Sequence, residues 1–192
     1  MGSAAEGGAP VAARPIPERR SIVFFTDLVA RMPTTQTTEI NQLLQPEQVR
    51  IGLSGRTKTE AINAIVDVLE GHERISSLDA VRSAIFEREK MMSTGVGKGL
   101  GLPHAKTPAA TETVAAFATT AQPIDFGAID DEPVRLLLLL VGPEEHKSQH
   151  VKILGRISRL VSRDALRQQL VEATDPATII DILRAGEAEL RG

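Results

Sequence analysis

The longest apolar run in this chain covers residues 134–141, where Val134 is followed by Arg135, five leucines and Val141. A run of this kind predicts a β-strand that is buried on both faces, because a strand with one wet face would alternate apolar and polar residues. It is also far shorter than the ~20 apolar residues that a membrane-spanning helix needs. The neighbouring elements must therefore cover both faces of a sheet.

The segments on either side of this run alternate between strand and helix patterns. Residues 49–53 and 113–120 alternate like strands, and residues 100–102 form a further short strand. Capping residues indicate three helix starts, namely Thr57 in a capping-box pattern, Ser76 or Ser77, and Asp175 before Pro176. Helices on both sides of a sheet predict an α/β layered sandwich. The remaining predicted elements are a helical turn at 40–44, helices at 57–71, 77–91, 144–162 and 164–173, and a turn or hairpin at 123–131.

The composition excludes several classes of function. The chain has 192 residues, of which 42% are hydrophobic, so it can bury a core. Its net charge is −3 and it has neither Trp nor Tyr, so it lacks the clustered cations and stacking aromatics that nucleic-acid binding uses. It has no Cys and therefore no disulfide framework and no thiol chemistry. These features are typical of a cytoplasmic protein without a membrane segment.

Residues 1–38 differ from the rest of the chain in composition. Gly, Ala and Pro dominate up to Pro17, and residues 32–38 are polar and rich in turn formers. Such a segment buries too little apolar surface to offset the entropy lost on ordering it. We predict a flexible N-terminal extension over residues 1–38 and one folded domain over residues 39–189.

A glycine-rich segment precedes a Pro-His step. Glycines alternate at positions 95, 97, 99 and 101, and Pro103 and His104 follow. Glycine lets main-chain N–H groups approach a ligand closely. Two common phosphate loops do not fit, because Gly99 rather than Ser or Thr follows Lys98, and because leucines stand where a dinucleotide loop has its third glycine. His104 is therefore either a nucleophile beside an anion-binding loop or a histidine that caps a strand end.

His150 and Arg88 each have a functional and a structural interpretation. His150 shares a helical face with Leu154, Ile157 and Val161, so it is either a core histidine or a site residue that faces inward. Arg88 lies near a helix C-terminus, where the helix dipole favours a cation. It is either an anion ligand or an ordinary surface charge.

His146 and His150 are also spaced to bind a metal ion from one face of a helix. The zinc-protease pattern requires Glu directly after the first histidine, where this chain has Lys147. No third ligand stands out in the sequence. We therefore predict no metal at this pair.

The residues around His104 resemble a known motif. Arg88 with Glu89, residues 93–97 and residues 100–105 resemble the active-site segment of the fructose/mannitol/nitrogen-type enzyme IIA domains of the bacterial phosphoenolpyruvate:sugar phosphotransferase system. The resemblance extends over residues 40–188 and implies that family's fold, a mixed β-sheet flanked by helices. It also implies a phosphotransferase component without a cofactor, in which His104 is phosphorylated and Arg88 and His150 lie beside it. The implied phosphate-binding loop comprises Ser93, Thr94, Gly95, Gly97, Lys98 and Gly99.

The resemblance implies protein partners as well. In that family the histidine accepts phosphate from the carrier HPr or its nitrogen-branch homologue NPr and passes it to an EIIB cysteine. The alternative function is a nitrogen-type regulatory module that binds target proteins according to its phosphorylation state. Three positions depart from the family's usual residues, since Lys98 replaces Asn, Gly101 stands near an Ala position and Ala105 replaces Gly. We expect Lys98 to add a cation near the phosphate.

Overall fold

The computed structural model describes residues 39–191, and the predicted extension over residues 1–38 lies outside this range. Within the range there are six strands and six α-helices. The strands are β1 (Val49–Leu53), β2 (Gly95–Gly97), β3 (Leu100–Gly101), β4 (His104–Lys106), β5 (Val114–Ile124) and β6 (Val134–Gly142). The helices are α1 (Ile40–Leu43), α2 (Lys58–Asp67), α3 (Leu78–Met91), α4 (Lys147–Val161), α5 (Asp164–Glu172) and α6 (Pro176–Glu189).

The sheet is mixed, and this confirms the predicted layered sandwich. Its strand order is β1-β5-β6-β3-β2, and β4 pairs with β6 beyond the end of β3. β1 runs parallel to β5, and β5 runs antiparallel to β6. β3 and β4 both run parallel to β6, and β2 is antiparallel to β3. The central strand β6 therefore has β5 on one side and the β3–β4 segment on the other.

β6 is the strand predicted to be covered on both faces, and it is. Leu136, Leu138 and Leu140 pack on one face with the apolar residues of α1, α4, α5 and α6. Leu137 and Leu139 pack on the other face with the apolar residues of α2 and α3. All five leucines are fully buried, and each such side chain stabilises the fold by about 1.5–3 kcal/mol relative to an exposed one. This strand is therefore a rigid support for the residues at its end.

The helix starts follow the capping residues seen in the sequence. Each cap satisfies a backbone N–H that has no partner inside its helix, which contributes about 1 kcal/mol. The second half of the predicted capping box differs, because Glu60 Oε2 accepts from the Arg56 N–H at 2.7 Å rather than from Thr57. The cap bonds run from Glu60 N–H to Thr57 Oγ1 (3.2 Å), from Ala80 N–H to Ser77 Oγ (3.2 Å) and from Thr178 N–H to Asp175 Oδ1 (2.9 Å).

Several predicted boundaries are wrong. The strand expected at 113–120 continues to Ile124, because pairing with β6 resumes at Ile124 opposite Val134 after an irregularity in register. Helix α2 ends at Asp67, and turns rather than helix lead to Gly71. The segment after β6 begins as a 3-10 turn at Glu144–His146 before α4 starts. Among residues 39–191, none of the helices is both long and apolar enough to cross a membrane.

Candidate active site

His104 is the first residue of β4 and lies opposite Leu140, near the C-terminal end of β6. Its ring is partly buried, and Nδ1 lies 2.8 Å from the carbonyl oxygen of Leu102. A carbonyl oxygen only accepts hydrogen bonds, so Nδ1 carries the ring proton and donates it. The neutral ring therefore keeps its lone pair on Nε2, and Nε2 is the nucleophilic nitrogen.

The surroundings of His104 favour this neutral form. Burial lowers the pKa of His104 below its ordinary value of 6.5, because the charged imidazolium loses solvation. The hydrogen bond to Leu102 and the carboxylate of Glu89 raise the pKa, whereas the guanidinium of Arg88 lowers it. The net shift is downward, so the ring is neutral at neutral pH. A neutral imidazole can attack phosphorus, and an imidazolium cannot.

His150 lies near the start of α4 and is 4% exposed. Its pKa is lowered from 6.5 to about 4, first by burial and then by the charges of His104, His146 and Lys106, whereas the carboxylate of Glu144 raises it. Within residues 39–191, its Nε2 atom is buried and has no hydrogen-bond partner. An unsatisfied buried polar atom is unfavourable by about 1–3 kcal/mol. This nitrogen is therefore available to a polar group that enters the site.

Gly142, the last residue of β6, makes room for the His150 ring. A Cβ atom at position 142 would lie 2.5 Å from His150 Nε2 and 3.1 Å from Thr113 Oγ1, so any side chain there would displace the ring. Gly142 is opposite Lys106, two residues after His104 in β4. The His150 ring therefore packs against the strand end beside which His104 begins.

His146, the other histidine of the i, i+4 pair, has a different role. His146 Nδ1 lies 3.0 Å from Thr113 Oγ1, and the same hydroxyl lies 2.8 Å from Gln149 Oε1. These contacts tie the turn after β6 to the start of β5. Over residues 39–191, the structure contains no group of three His, Cys, Asp or Glu side chains placed to hold a metal ion.

Arg88 lies in the last turn of α3, and this helix packs against β4. Its guanidinium donates to the Met92 carbonyl at 2.9 Å, and its charge acts on the ring of His104. Arg88, His104 and His150 thus reach the C-terminal end of β6 from α3, β4 and α4. A cation, a nucleophile and an unsatisfied ring nitrogen meet at one place, which suits the transfer of an anionic group.

The glycine-rich segment is not an open loop. β2 and β3 form a hairpin whose turn consists of Lys98 and Gly99, both with positive φ (54° and 68°), as in a type I′ turn. The Lys98 N–H donates to Asp130 Oδ2 at 2.7 Å, and its Nζ lies 3.4 Å from the Ser162 carbonyl at the far end of α4. The structure does not bring Lys98 or Gly99 to His104. The expectation that Lys98 adds a cation beside the phosphate is therefore corrected.

The other predicted loop residues make bonds within the protein. The hydroxyl of Ser93 donates to the Phe126 carbonyl at 2.7 Å and accepts from the Gly95 N–H at 3.2 Å. Thr94 gives both its N–H and its hydroxyl to Glu89, at 3.1 and 2.5 Å. The donors of Ser93, Thr94 and Gly95 are therefore occupied within the protein and are not free to serve as the phosphate-binding loop that the resemblance implies.

Close packing explains the glycines of this hairpin. A Cβ atom at position 95 would lie 2.9 Å from the Ala128 backbone, and one at position 97 would lie 2.8 Å from the Asp130 carboxylate. One at position 101 would lie 2.7 Å from Leu137. The hairpin thus packs closely against the segment after β5 and against the central strand.

Comparison with known proteins shows the family of this chain. The family model described as "Phosphoenolpyruvate-dependent sugar phosphotransferase system, EIIA 2" matches residues 42–186. The chain belongs to this EIIA family. Its members are components of a phosphotransferase system, and this confirms the resemblance seen around His104.

Relatives of this EIIA chain fall into two groups. It is 36% identical over 146 residues to the "PTS system fructose-specific EIIA component" of Haloferax volcanii, covering 76% of this chain and 95% of the relative. It is 32% identical over 148 residues to the "Nitrogen regulatory protein" of Bradyrhizobium diazoefficiens, covering 75% and 94%. The crystal structure of the nitrogen regulatory protein IIA-Ntr of Neisseria meningitidis superposes with a TM-score of 0.67 at 28% identity, covering 75% of this chain and 98% of that one.

Three residues near the site of this EIIA domain were not predicted from the sequence as site residues. Lys106 lies two residues after His104 in β4, hence on the same side of the strand, and its Nζ pairs with Glu144 at 2.6 Å. Glu89 was named only as a neighbour of Arg88, and Lys58 was not singled out within the helix predicted at 57–71. The i, i+2 spacing of His104 and Lys106 was the available signal for Lys106. Lys58 and Glu89 are far apart in sequence, so their ion pair left no local signal.

Proposed function

We propose that Nε2 of His104 accepts a phosphoryl group from a phosphohistidine carrier. The observation that carries this proposal is the bond from His104 Nδ1 to the Leu102 carbonyl, which leaves the lone pair on Nε2. The lowered pKa of His104, caused first by burial, supports it because the ring is neutral and nucleophilic at neutral pH.

The transfer step uses groups that this chain supplies. A bond forms between His104 Nε2 and phosphorus while the bond between phosphorus and the donor's ring nitrogen breaks. The Nδ1 proton stays on Nδ1, donated to Leu102 throughout, and the donor ring leaves with the electron pair of the broken bond. Arg88 exchanges the Met92 carbonyl for phosphoryl oxygens, and His150 donates its Nε2–H to a phosphoryl oxygen, which can only accept. Arg88 gains charged acceptors in place of a carbonyl, and His150 Nε2 gains the partner that it lacks at rest.

The donor class is HPr or NPr, and the acceptor is an EIIB. The resemblance to the fructose-specific EIIA component of Haloferax volcanii supports this direction of transfer. EIIA thereby relays a phosphoryl group between two proteins and holds it only briefly on His104.

The alternative function, regulation by phosphorylation state, is supported by the similarity to the nitrogen regulatory protein of Bradyrhizobium diazoefficiens. Phosphorylation adds about −1.5 to −2 charges. Met91 and Met92, which follow Arg88, are 81% and 66% exposed, so this charge appears beside an apolar surface that a partner can contact. The same chemistry at His104 then acts as a signal.

The test is intact-mass spectrometry after incubation with phosphoenolpyruvate, enzyme I and either HPr or NPr. Wild type, His104→Ala, His150→Ala and the control His72→Ala are compared. We expect an acid-labile gain of one phosphoryl group that is lost in His104→Ala, slowed in His150→Ala and unchanged in His72→Ala. Gain with NPr alone favours regulation, whereas no gain with either carrier refutes the proposal.

A further inference from the structure

A largely buried carboxylate lies beside the site and takes no part in the transfer described above. Glu89 is in the last turn of α3, and its side chain is 9% exposed. Both of its carboxylate oxygens accept from the Thr94 N–H at 3.1 Å, and Oε2 also accepts from the Thr94 hydroxyl at 2.5 Å. Thr94 itself is 2% exposed. Glu89 therefore holds Thr94 by its backbone and its side chain at once.

The bonds continue from Thr94 to the nucleophile. The Thr94 carbonyl accepts from the Leu102 N–H at 2.9 Å, and this closes the open end of the β2–β3 hairpin. The Leu102 carbonyl in turn accepts from His104 Nδ1 at 2.8 Å. One continuous series of hydrogen bonds therefore links the Glu89 carboxylate to the ring proton of His104.

Lys58 fixes the other side of Glu89. Its Nζ forms an ion pair with Glu89 Oε1 and donates to Ser93 Oγ at 2.9 Å. The ammonium also lies over the Phe126 ring, 5.1 Å from its centre. Lys58 thus connects the start of α2 to the end of α3 and to the residue before Thr94.

A buried carboxylate is not the most stable group that could be packed at the end of a helix. A negative charge in the last helical turn opposes the helix dipole. A buried ion pair is also commonly no more stable than apolar residues of similar volume, because both charges lose solvation. The carboxylate contributes what an apolar residue cannot, namely three directed bonds to Thr94.

We infer that Glu89, held by Lys58, is a positioning residue that fixes the tautomer and the direction of the His104 ring through Thr94 and Leu102. The tautomer is a property of the resting protein and does not depend on the proposed function. Only the expected effect on transfer rests on that function. Without the Glu89 bonds, the Leu102 carbonyl loses its fixed position and the His104 ring is free to protonate on Nε2.

The first experiment is nitrogen NMR of the imidazole rings at a pH well above the His104 pKa, with the His104 signals assigned from His104→Ala. In wild type we expect the proton on Nδ1. In Glu89→Ala and Thr94→Val we expect a mixture in which Nε2 is substantially protonated, and in Thr94→Ser the wild-type tautomer. Glu87→Ala is the matched control, because Glu87 is in the same helix turn but pairs with the exposed Lys90.

The second readout is the rate of phosphoryl acceptance. A misplaced nucleophile slows a reaction by roughly 10²-fold, so we expect a loss of that order in Glu89→Ala and none in Glu87→Ala. An unchanged His104 tautomer in folded Glu89→Ala and Thr94→Val would overturn the inference, even if wild type accepts phosphate normally. If wild type accepts no phosphate but the tautomer shifts as expected, the proposed function fails and the positioning role stands.

Discussion

The glycine-rich hairpin and the Pro103–His104 step are contiguous in sequence but reach opposite ends of the sheet. The turn at Lys98 and Gly99 lies beside the start of β6, where the Gly99 carbonyl accepts from the Arg135 N–H at 2.9 Å. His104 lies opposite Leu140, near the end of the same strand. The two positions are five residues apart along β6, which at about 3.3 Å per residue is roughly 16 Å. The glycine-rich segment and the Pro-His step look like one site in the sequence. In the structure, the hairpin packs against the protein at one end of β6, and His104 lies near the other end.

Gly101 and Gly142 show why a glycine in the sequence does not by itself indicate a functional site. Gly101 approaches Leu137, a core side chain, whereas Gly142 approaches the ring of His150. Both positions exclude a Cβ atom for the same steric reason. A position that admits only glycine indicates that another group comes close, but it does not say whether that group belongs to the core or to the site.

The largest expected effect comes from placing a Cβ atom at position 142, beside His150. In Gly142→Ala the new Cβ atom would lie 2.5 Å from His150 Nε2, so the ring must move. A displaced site residue slows transfer by roughly 10²-fold. The measurement is the rate of phosphoryl acceptance from HPr or NPr.

Gly101→Ala is the matched control for that variant. Its Cβ atom meets Leu137 at 2.7 Å, and overpacking of this kind destabilises a core by about 1–3 kcal/mol. We expect lower stability by denaturant unfolding but wild-type transfer below the melting temperature. Equal losses of transfer in the two variants would remove the distinction between the two ends of the sheet.

The next prediction concerns His150 and the pH dependence of the free energy of unfolding. The pKa of His150 is lowered from 6.5 to about 4, first by burial and then by the charges of His104, His146 and Lys106. Between these two pH values the unfolded chain therefore binds a proton that the folded chain does not bind. Its contribution to stability is complete above pH 6.5 and is lost as the pH falls toward 4, by about 3 kcal/mol in all. Denaturant unfolding at a series of pH values measures this loss. His150→Gln should flatten the curve, and an unchanged slope would contradict the assignment.

Substitution of Arg88 tests the role of its charge at the site, and we expect a smaller effect on the rate of phosphoryl acceptance. Charge-assisted hydrogen bonds contribute about 1.5–3 kcal/mol, and Arg88 is partly exposed, so we take the lower value. Arg88→Gln should slow acceptance about tenfold, the rate equivalent of about 1.4 kcal/mol. Lys90→Gln, two residues further along the same helix, is the control. Equal rates in both variants would make Arg88 an ordinary surface charge.

The smallest expected effect is at the hairpin turn. Asn tolerates positive φ better than Lys does, and the bond from Lys98 Nζ to the Ser162 carbonyl is long and exposed. Lys98→Asn should leave phosphoryl acceptance unchanged and alter stability by no more than about 0.5 kcal/mol. A marked loss of acceptance would return Lys98 to the site and contradict its placement at the far end of the sheet.

The sequence predicted the features that depend on local patterns. The leucine run of β6, the caps at Thr57, Ser77 and Asp175, and the inward face of α4 with His150 all follow from spacing and residue type. The mixed sheet came from the resemblance around His104. These features are repeated or contiguous, so a single sequence reveals them.

The features that sequence missed depend on tertiary contacts. β2 and β4 are three residues each, too short for an alternating pattern to show. The chain cannot reveal locally that Thr94 is held by Glu89 or that Glu89 is paired with Lys58. The missing partner of His150 Nε2 is likewise a result of packing, because burial in the folded protein removes this atom from water.

The Nδ1 bond to Leu102 should direct phosphorylation to Nε2 of His104. The most direct test is phosphorus–nitrogen NMR of the protein phosphorylated through its carrier, with the ring nitrogen that bears phosphorus identified by its coupling. We expect phosphorus on Nε2 of His104, with Nδ1 still protonated. Phosphorus on Nδ1 of His104, or on any other histidine, would contradict the account.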